Sequence, residues 1–321
     1  MVERTGRIVT LGGTMALLRA ETPAPLAHVH ELALGIGGAE SNLAIALARL
    51  GTPVSWVGRV GADSLGERVL RELRAEGLDV HGTVDPEALT GLMIKERRTS
   101  DTVKVWYYRS GSAGSRLTPA DVAPGLIEEA TLLHVTGISL ALSDSARDTV
   151  LSAVARAQAA GVPVSFDVNH RASLWCDRDA AAAAYREVAA SATMVFAGED
   201  EARLLTGADE TASVADLARS IAALGPDQVL IKLGADGCLA LVDGTEHRQA
   251  AVPVRVVDTV GAGDAFVAGY LAELVAGRPV AERLRTAVTT GAFACLTPGD
   301  WEGMPRRHEL ALLHQAEPVS R

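Results

Sequence analysis

Short apolar runs alternate with longer stretches in which apolar residues recur every three or four positions, over most of the chain. The runs at residues 7–12, 54–58, 132–136, 162–167 and 229–232 have the length and composition of buried strands. Between them, residues 40–50, 65–76, 143–160, 179–191 and 213–224 carry the period of amphipathic helices. Asp63-Ser64 and Ser143-Asp144 supply N-caps, and Gly51, Gly77 and Gly161 stand where helices should stop. Such alternation predicts an α/β fold with a mostly parallel central sheet flanked by helices.

Two regions break the pattern. One spans about residues 14–34. In the other, about 91–109, residues 92–95 and 103–108 flank a turn at Thr99-Ser100-Asp101 and read as a β-hairpin outside the main sheet. Together they predict a small β-lid over one end of the sheet. No linker or low-complexity tract divides the chain, so residues 1–321 read as a single domain.

Composition narrows the function. The 321 residues are 48% hydrophobic and include 31 glycines, which excludes a disordered chain. A net charge of -10 argues against nucleic acid or an anionic membrane as partner. No apolar run is long enough to span a bilayer, and the start lacks a signal-peptide layout. Cys176, Cys238 and Cys295 are scattered and form no CxxC pair, which suits a reducing, cytoplasmic setting. Lysine-dependent chemistry is confined to Lys95, Lys104 and Lys232.

The segment Asp258-Thr259-Val260-Gly261-Ala262-Gly263-Asp264 carries the clearest chemistry. It follows a β-rich stretch, 252–257, and leads into an apolar-periodic helix from Ala265 to about Val275. Gly261 and Gly263 allow backbone N–H groups to converge at a helix N-terminus, where negative charge is favoured. That end should keep the Asp264 carboxylate ionised and able to accept a proton from an attacking hydroxyl. A tight turn with Asp264 as a simple cap fits the spacing equally. There is no GxxxxGK[ST], no protein-kinase motif set, no HExxH and no GxGxxG after the first strand.

Residues 258–270 resemble the C-terminal signature of the ribokinase-like (PfkB) carbohydrate kinases. Gly35-Ile36-Gly37-Gly38-Ala39-Glu40-Ser41-Asn42 resembles their N-terminal signature, and the likeness runs from Arg7 to about Pro305. Within the family, Tyr107 to Ala113, Ser115-Arg116-Leu117, Phe166 to Arg171 with Leu174-Trp175, and Gly299 to Gly303 are most similar to the 2-keto-3-deoxygluconate kinases. The resemblance implies a ribokinase-like fold with a β-lid, ATP and Mg²⁺ as cofactors, and a small sugar acid as partner. It also implies a homo-oligomer formed through the lid.

The resemblance carries roles onto single residues. Asp264 becomes the catalytic base, with Gly261, Ala262 and Gly263 as the anion hole. Gly37, Gly38 and Asn42 become sugar contacts; the alternative is a plain strand-to-helix loop. Tyr107 and Arg109, on one side of a lid strand, join Arg171 in gripping the acid; surface ion pairs are the alternative for both arginines. Asp300 is a further substrate contact or a solvated loop carboxylate. For ATP, the resemblance implies Lys232, Gly234, Asp236 and Gly237, a segment that also reads as a hairpin turn, with Asn169 and Arg171 near the phosphates. Glu201 matches the acid of an NxxE element serving Mg²⁺ through water, or starts a helix in solvent. Two departures stand out: Gly198 replaces the Asn of that element, and Gly12-Gly13-Thr14 lacks the acidic residue common after the first glycine. The implied activity is ATP-dependent phosphorylation of 2-keto-3-deoxygluconate. A neutral-sugar kinase (fructokinase or ribokinase) and a silent sugar-binding protein are the alternatives.

Overall fold

In the computed structural model, the described residues, 6–99 and 102–314, form thirteen strands and nine α-helices. The first part of the chain contains β1 (Ile8–Leu11), β2 (Met15–Arg19), β3 (Ala33–Gly37), α1 (Ala39–Arg49), β4 (Val54–Gly61), α2 (Ser64–Ala75) and β5 (Asp79–Asp85). There follow β6 (Leu92–Arg97), β7 (Val103–Tyr108), β8 (Leu132–Thr136), α3 (Gly137–Leu142), α4 (Asp144–Ala159), β9 (Val164–Asp167) and α5 (Arg178–Ala189). The last part holds β10 (Met194–Gly198), α6 (Glu199–Thr206), α7 (Val214–Ala222), β11 (Gln228–Lys232), β12 (Cys238–Val242), β13 (Thr245–Gln249), α8 (Ala262–Val275) and α9 (Val280–Ala294).

Seven strands, in the order β11-β10-β9-β8-β1-β4-β5, run parallel, and the β12–β13 hairpin extends one edge in antiparallel fashion. Successive side chains sort onto opposite faces. Ile8 of β1 enters one core layer, with Leu43 and Leu47 of α1 and Phe266 and Tyr270 of α8. Val9 and Leu11 enter the other, with Val150 and Val154 of α4 and Tyr185 of α5. Strand order reverses between β1 and β8. Open α/β sheets bind ligands at such a reversal, outside the carboxyl ends of the strands.

Helix α8 is buried from Asp264 to Glu273, as an all-apolar helix must be, and it packs between α1 and α9. It begins three residues earlier than the periodicity predicts. Gly261, at φ 78°, turns the chain so that the N–H of Ala265 reaches its carbonyl, which draws Gly263 and Asp264 into the first turn. The expected β-character of residues 252–257 is not realised. Pro253 has no N–H to donate, and the Val257 N–H is taken by the Cys295 carbonyl at 2.8 Å.

A second sheet, in the order β3-β2-β6-β7, stands apart from the first. Its first segment runs past residue 34 to Gly37, which leads straight into α1. Its outer strand, β7, leaves Trp106, Tyr107 and Tyr108 exposed. Ser100 and Asp101, in the turn expected between its last two strands, lie outside the described residues.

The root of this sheet is tied down by a helix cap. Asp63 accepts the Gly66 N–H as N-cap of α2 and also the N–H and hydroxyl of Thr90, each at 2.8 Å. Asp63→Ala removes all three bonds, and we expect it to cost about 2 kcal/mol. The midpoint of urea unfolding checks this; an unchanged midpoint would mean that the cap supports neither element.

Candidate active site

The carboxyl ends of β1, β8, β9 and β11 and the N-terminus of α8 surround a cleft of ≈ 380 Å³. Asp264 lies on its wall, buried, held by two amides: Asn42 Nδ2 donates to Oδ2 at 2.8 Å and Asn169 Nδ2 to Oδ1 at 3.2 Å. Burial pushes its pKa up to about 7, against the Asn42 hydrogen bond and with help from the Asp167 charge. Burial thus makes Asp264 harder to ionise than the position at a helix N-terminus suggests from sequence. Its pKa is near that of an effective general base. Asn169 is held at φ 39°, a left-handed conformation that Asn tolerates better than most residues.

Charge is balanced around it. Lys232 Nζ bonds both oxygens of buried Asp167, at 2.8 and 2.9 Å. Burial opposes the lysine's charge, yet the Asp167 carboxylate prevails and keeps it an ammonium. Gly263 lies against it: a Cβ at that position would stand 3.6 Å from Lys232 Nζ. Arg109, also on the lining, is buried, 4.4 Å from the Tyr107 ring centroid, and its Nε and Nη2 have no hydrogen-bond partner. The acid of Glu40, also buried, accepts from the hydroxyls of Thr136 at 2.6 Å and Ser139 at 3.1 Å.

The chain matches the description pfkB family carbohydrate kinase over residues 5–307. The chain belongs to the PfkB family of carbohydrate kinases. It is 36% identical to the 2-dehydro-3-deoxygluconokinase of Bacillus subtilis, over 96% of this chain and 95% of that one. It is 32% identical to the 2-dehydro-3-deoxygalactonokinase of Haloferax volcanii, over 92% and 93%. Among solved structures, the PfkB protein from Polaromonas sp. JS666 superposes with a TM-score of 0.86 at 35% identity, covering 95% of this chain and 98% of that one. The fold is therefore ribokinase-like.

Most of the predicted residues of this PfkB kinase meet at the cleft. Gly38, Asn42, Tyr107, Arg109, Asn169, Arg171, Lys232, Gly261, Gly263, Asp264 and Asp300 all line it. Gly37 and Ala262 are not part of its lining. Gly37 lacks a Cβ because one there would stand 2.3 Å from Asp300 Oδ2. Gly234 and Asp236 are exposed in the tight turn between β11 and β12, away from the lining, and Gly237, at φ 92°, packs under the Gln249 carbonyl. In this structure that segment is a hairpin turn. Both Glu201 oxygens are used by backbone donors, His170 N–H at 2.8 Å and Gly198 N–H at 2.6 Å, so the acid caps α6 and braces the loop after β9. Asp300 is no solvated loop acid: it is buried and bonded to Lys95 Nζ at 2.8 Å.

Glu40 is a cleft residue that sequence reasoning missed, and Lys95, which bonds Asp300 from behind the lining, is a neighbour that it also missed. A signal existed for Glu40: it is the one charge in the small and apolar run from Gly35 to Ala48. It fills the space over Gly12, where a Cβ would stand 2.3 Å from its carboxyl carbon. The cleft thus receives an acid from α1, packed over Gly12.

A base with a pKa near 7 has a legible signature. We expect kcat/KM to rise about tenfold per pH unit below about pH 7 and to level off above it. Asp264→Asn should lower kcat about 10³-fold. Because the folded-state pKa is raised, ionising Asp264 costs stability progressively from about pH 4 to about pH 7. The Asn variant should therefore melt higher than the wild type by roughly 2–5 °C at pH 8 and show little gain at about pH 4. A pH-independent difference would contradict the burial argument.

Proposed function

We propose that this kinase transfers the γ-phosphoryl group of ATP to the primary hydroxyl of 2-keto-3-deoxygluconate, giving the 6-phosphate and ADP. One observation supports the choice of an acid: Arg109 lines the cleft that holds Asp264, and its buried Nε and Nη2 have no hydrogen-bond partner. The Glu40 acid lies near enough to act on this guanidinium, yet no hydrogen bond satisfies those two nitrogens, and the planar carboxylate of a sugar acid would bond it bidentately. Tyr107 stacks on the same guanidinium and fixes its plane.

In this reading Asp264 accepts the proton of the attacking hydroxyl as the new O–P bond forms and the bond to ADP breaks. Asn42 and Asn169 aim its two oxygens, one each. The N–H groups behind Gly261 and Gly263 face the anionic oxygens of the group in transfer. Arg171 and Lys232, both on the lining, add positive charge for the phosphates. Mg²⁺ neutralises phosphate charge when bound. Mg²⁺ would be held chiefly by the nucleotide phosphates and its own waters, with Glu201 the acid that could reach it through water. The lid sheet, which contributes Met15, Met93 and Tyr107 to the cleft wall, keeps bulk water from the phosphoryl group. Its exposed Trp106 and Tyr108, on the face away from the cleft, support pairing between the lids of two subunits, and a dimer mass by light scattering, lost in Trp106→Glu, would bear that out.

The test of substrate is a panel of 2-keto-3-deoxygluconate, its galactose-configured epimer, fructose and ribose, assayed by ADP release. A keto-deoxy acid should be the best substrate, and Arg109→Met should raise its KM about 100-fold while leaving neutral sugars unaffected. Turnover of fructose or ribose alone would overturn the acid reading. Preference for the galactose-configured epimer, the configuration named for the Haloferax relative, would keep the acid and change the stereochemistry.

A further inference from the structure

Lys95 has no place in the mechanism above, yet it is one of only three lysines in the chain and is 3% exposed. It projects from β6 of the lid into the body of the protein. There its Nζ meets three oxygens: Asp258 Oδ2 at 3.0 Å, the Gly299 carbonyl at 3.1 Å and Asp300 Oδ1 at 2.8 Å. Each partner belongs to a segment that shapes the anion hole. Asp258 opens the glycine-rich turn and accepts the Val260 N–H at 3.1 Å and the Gly299 N–H at 3.3 Å. The Asp300 carbonyl lies so close to Gly261 that a Cβ there would stand 1.9 Å away, and its carboxylate lies against Gly37. Asp300 is thus wedged between the two signature segments.

Electrostatics makes this arrangement consequential. Two buried carboxylates sit immediately behind a turn that must receive an anionic phosphoryl group. Left alone, they would repel each other and the phosphates. Lys95 is the basic group that bonds both of them. Because it is delivered by the lid, its seating also reports whether the lid sheet is docked on the glycine-rich turn.

We propose that Lys95 is an internal monovalent cation that shapes the anion hole: a positioning residue that couples lid docking to the geometry of the Gly261–Gly263 turn. The inference rests on the chain being a carbohydrate kinase and is independent of which sugar it takes. It makes the wild-type enzyme indifferent to which monovalent cation is in the buffer, since the site carries its own.

The test is Lys95→Ala, assayed on the best sugar of the panel in sodium, ammonium and methylammonium buffers, with the wild type alongside. In sodium, kcat of the variant should fall about 100-fold while KM for the sugar moves far less. Ammonium or methylammonium, which fit the space left by the side chain and restore its charge, should recover at least about a tenth of the wild-type kcat. The wild type should respond to neither. A variant with near-wild-type kcat in sodium would overturn the proposal, and so would a folded, inactive variant that no cation rescues. If Lys95→Ala does not fold, Asp258→Asn keeps the shape and halves the counter-charge. We expect it to lower kcat about tenfold with KM for the sugar nearly unchanged; an unaltered kcat would sink the idea. Wild-type turnover in sodium serves as the control that separates this failure from a wrong choice of sugar.

Discussion

Helix α8 has almost no side facing water, and much of the active site follows from that. The first N–H groups of any helix lack partners within it. In a helix enclosed by α1, α9 and the sheet, those groups can be satisfied only at the end that opens onto the cleft. Gly261 and Gly263 keep that end free of side chains, so the unsatisfied donors become a receptor for negative charge. The same enclosure strips water from Asp264 in the first turn and makes a carboxylate of ordinary chemistry into a base with a pKa of about 7.

Positive charge is used sparingly to balance this. Of the three lysines in the chain, Lys95 and Lys232 are committed to ion pairs that flank the glycine-rich turn, one with Asp258 and Asp300, the other with Asp167. Each pair is at least partly withdrawn from solvent, where breaking it is costly and its geometry is correspondingly well defined. Among the described residues Arg109 and Arg171, the other cations on the lining, have no such ion pair: Arg171 bonds the His170 carbonyl, and Arg109 is buried with Nε and Nη2 unpartnered.

The fold was largely legible in the sequence because strands buried on both faces appear as apolar runs and the helices between them keep their period. Ends were legible where a cap or a left-handed glycine marks them: Asp63, Ser143, Gly51, Gly77 and Gly161 all stand at the predicted boundaries. Residues 252–257 misled, since alternating valines look like a strand whether or not a partner strand lies beside them. The site was legible where two local signatures encode it, around Asn42 and around Asp264. It was not legible where a role depends on a contact across the fold. Lys95 meets Asp300 at a separation of 205 residues, and no local pattern announces that. Glu201 caps α6 and the Gly234 segment forms a hairpin turn, structural uses that a local pattern does not separate from a ligand contact.

The bond between Asn42 and Asp264 joins residues 222 positions apart, and this has a bearing on how the protein is made. The base and its orienting amide come from opposite ends of the chain, so the reactive arrangement exists only after most of the polypeptide has emerged and the two ends have docked. Contacts of such long range close late in folding, and domains are generally completed as units during synthesis. A nascent or truncated chain holding the first signature and the central strands has neither base nor anion hole. Incomplete copies therefore lack the Asn42–Asp264 pair, and the base acquires its orienting amide only when both ends of the chain are folded together.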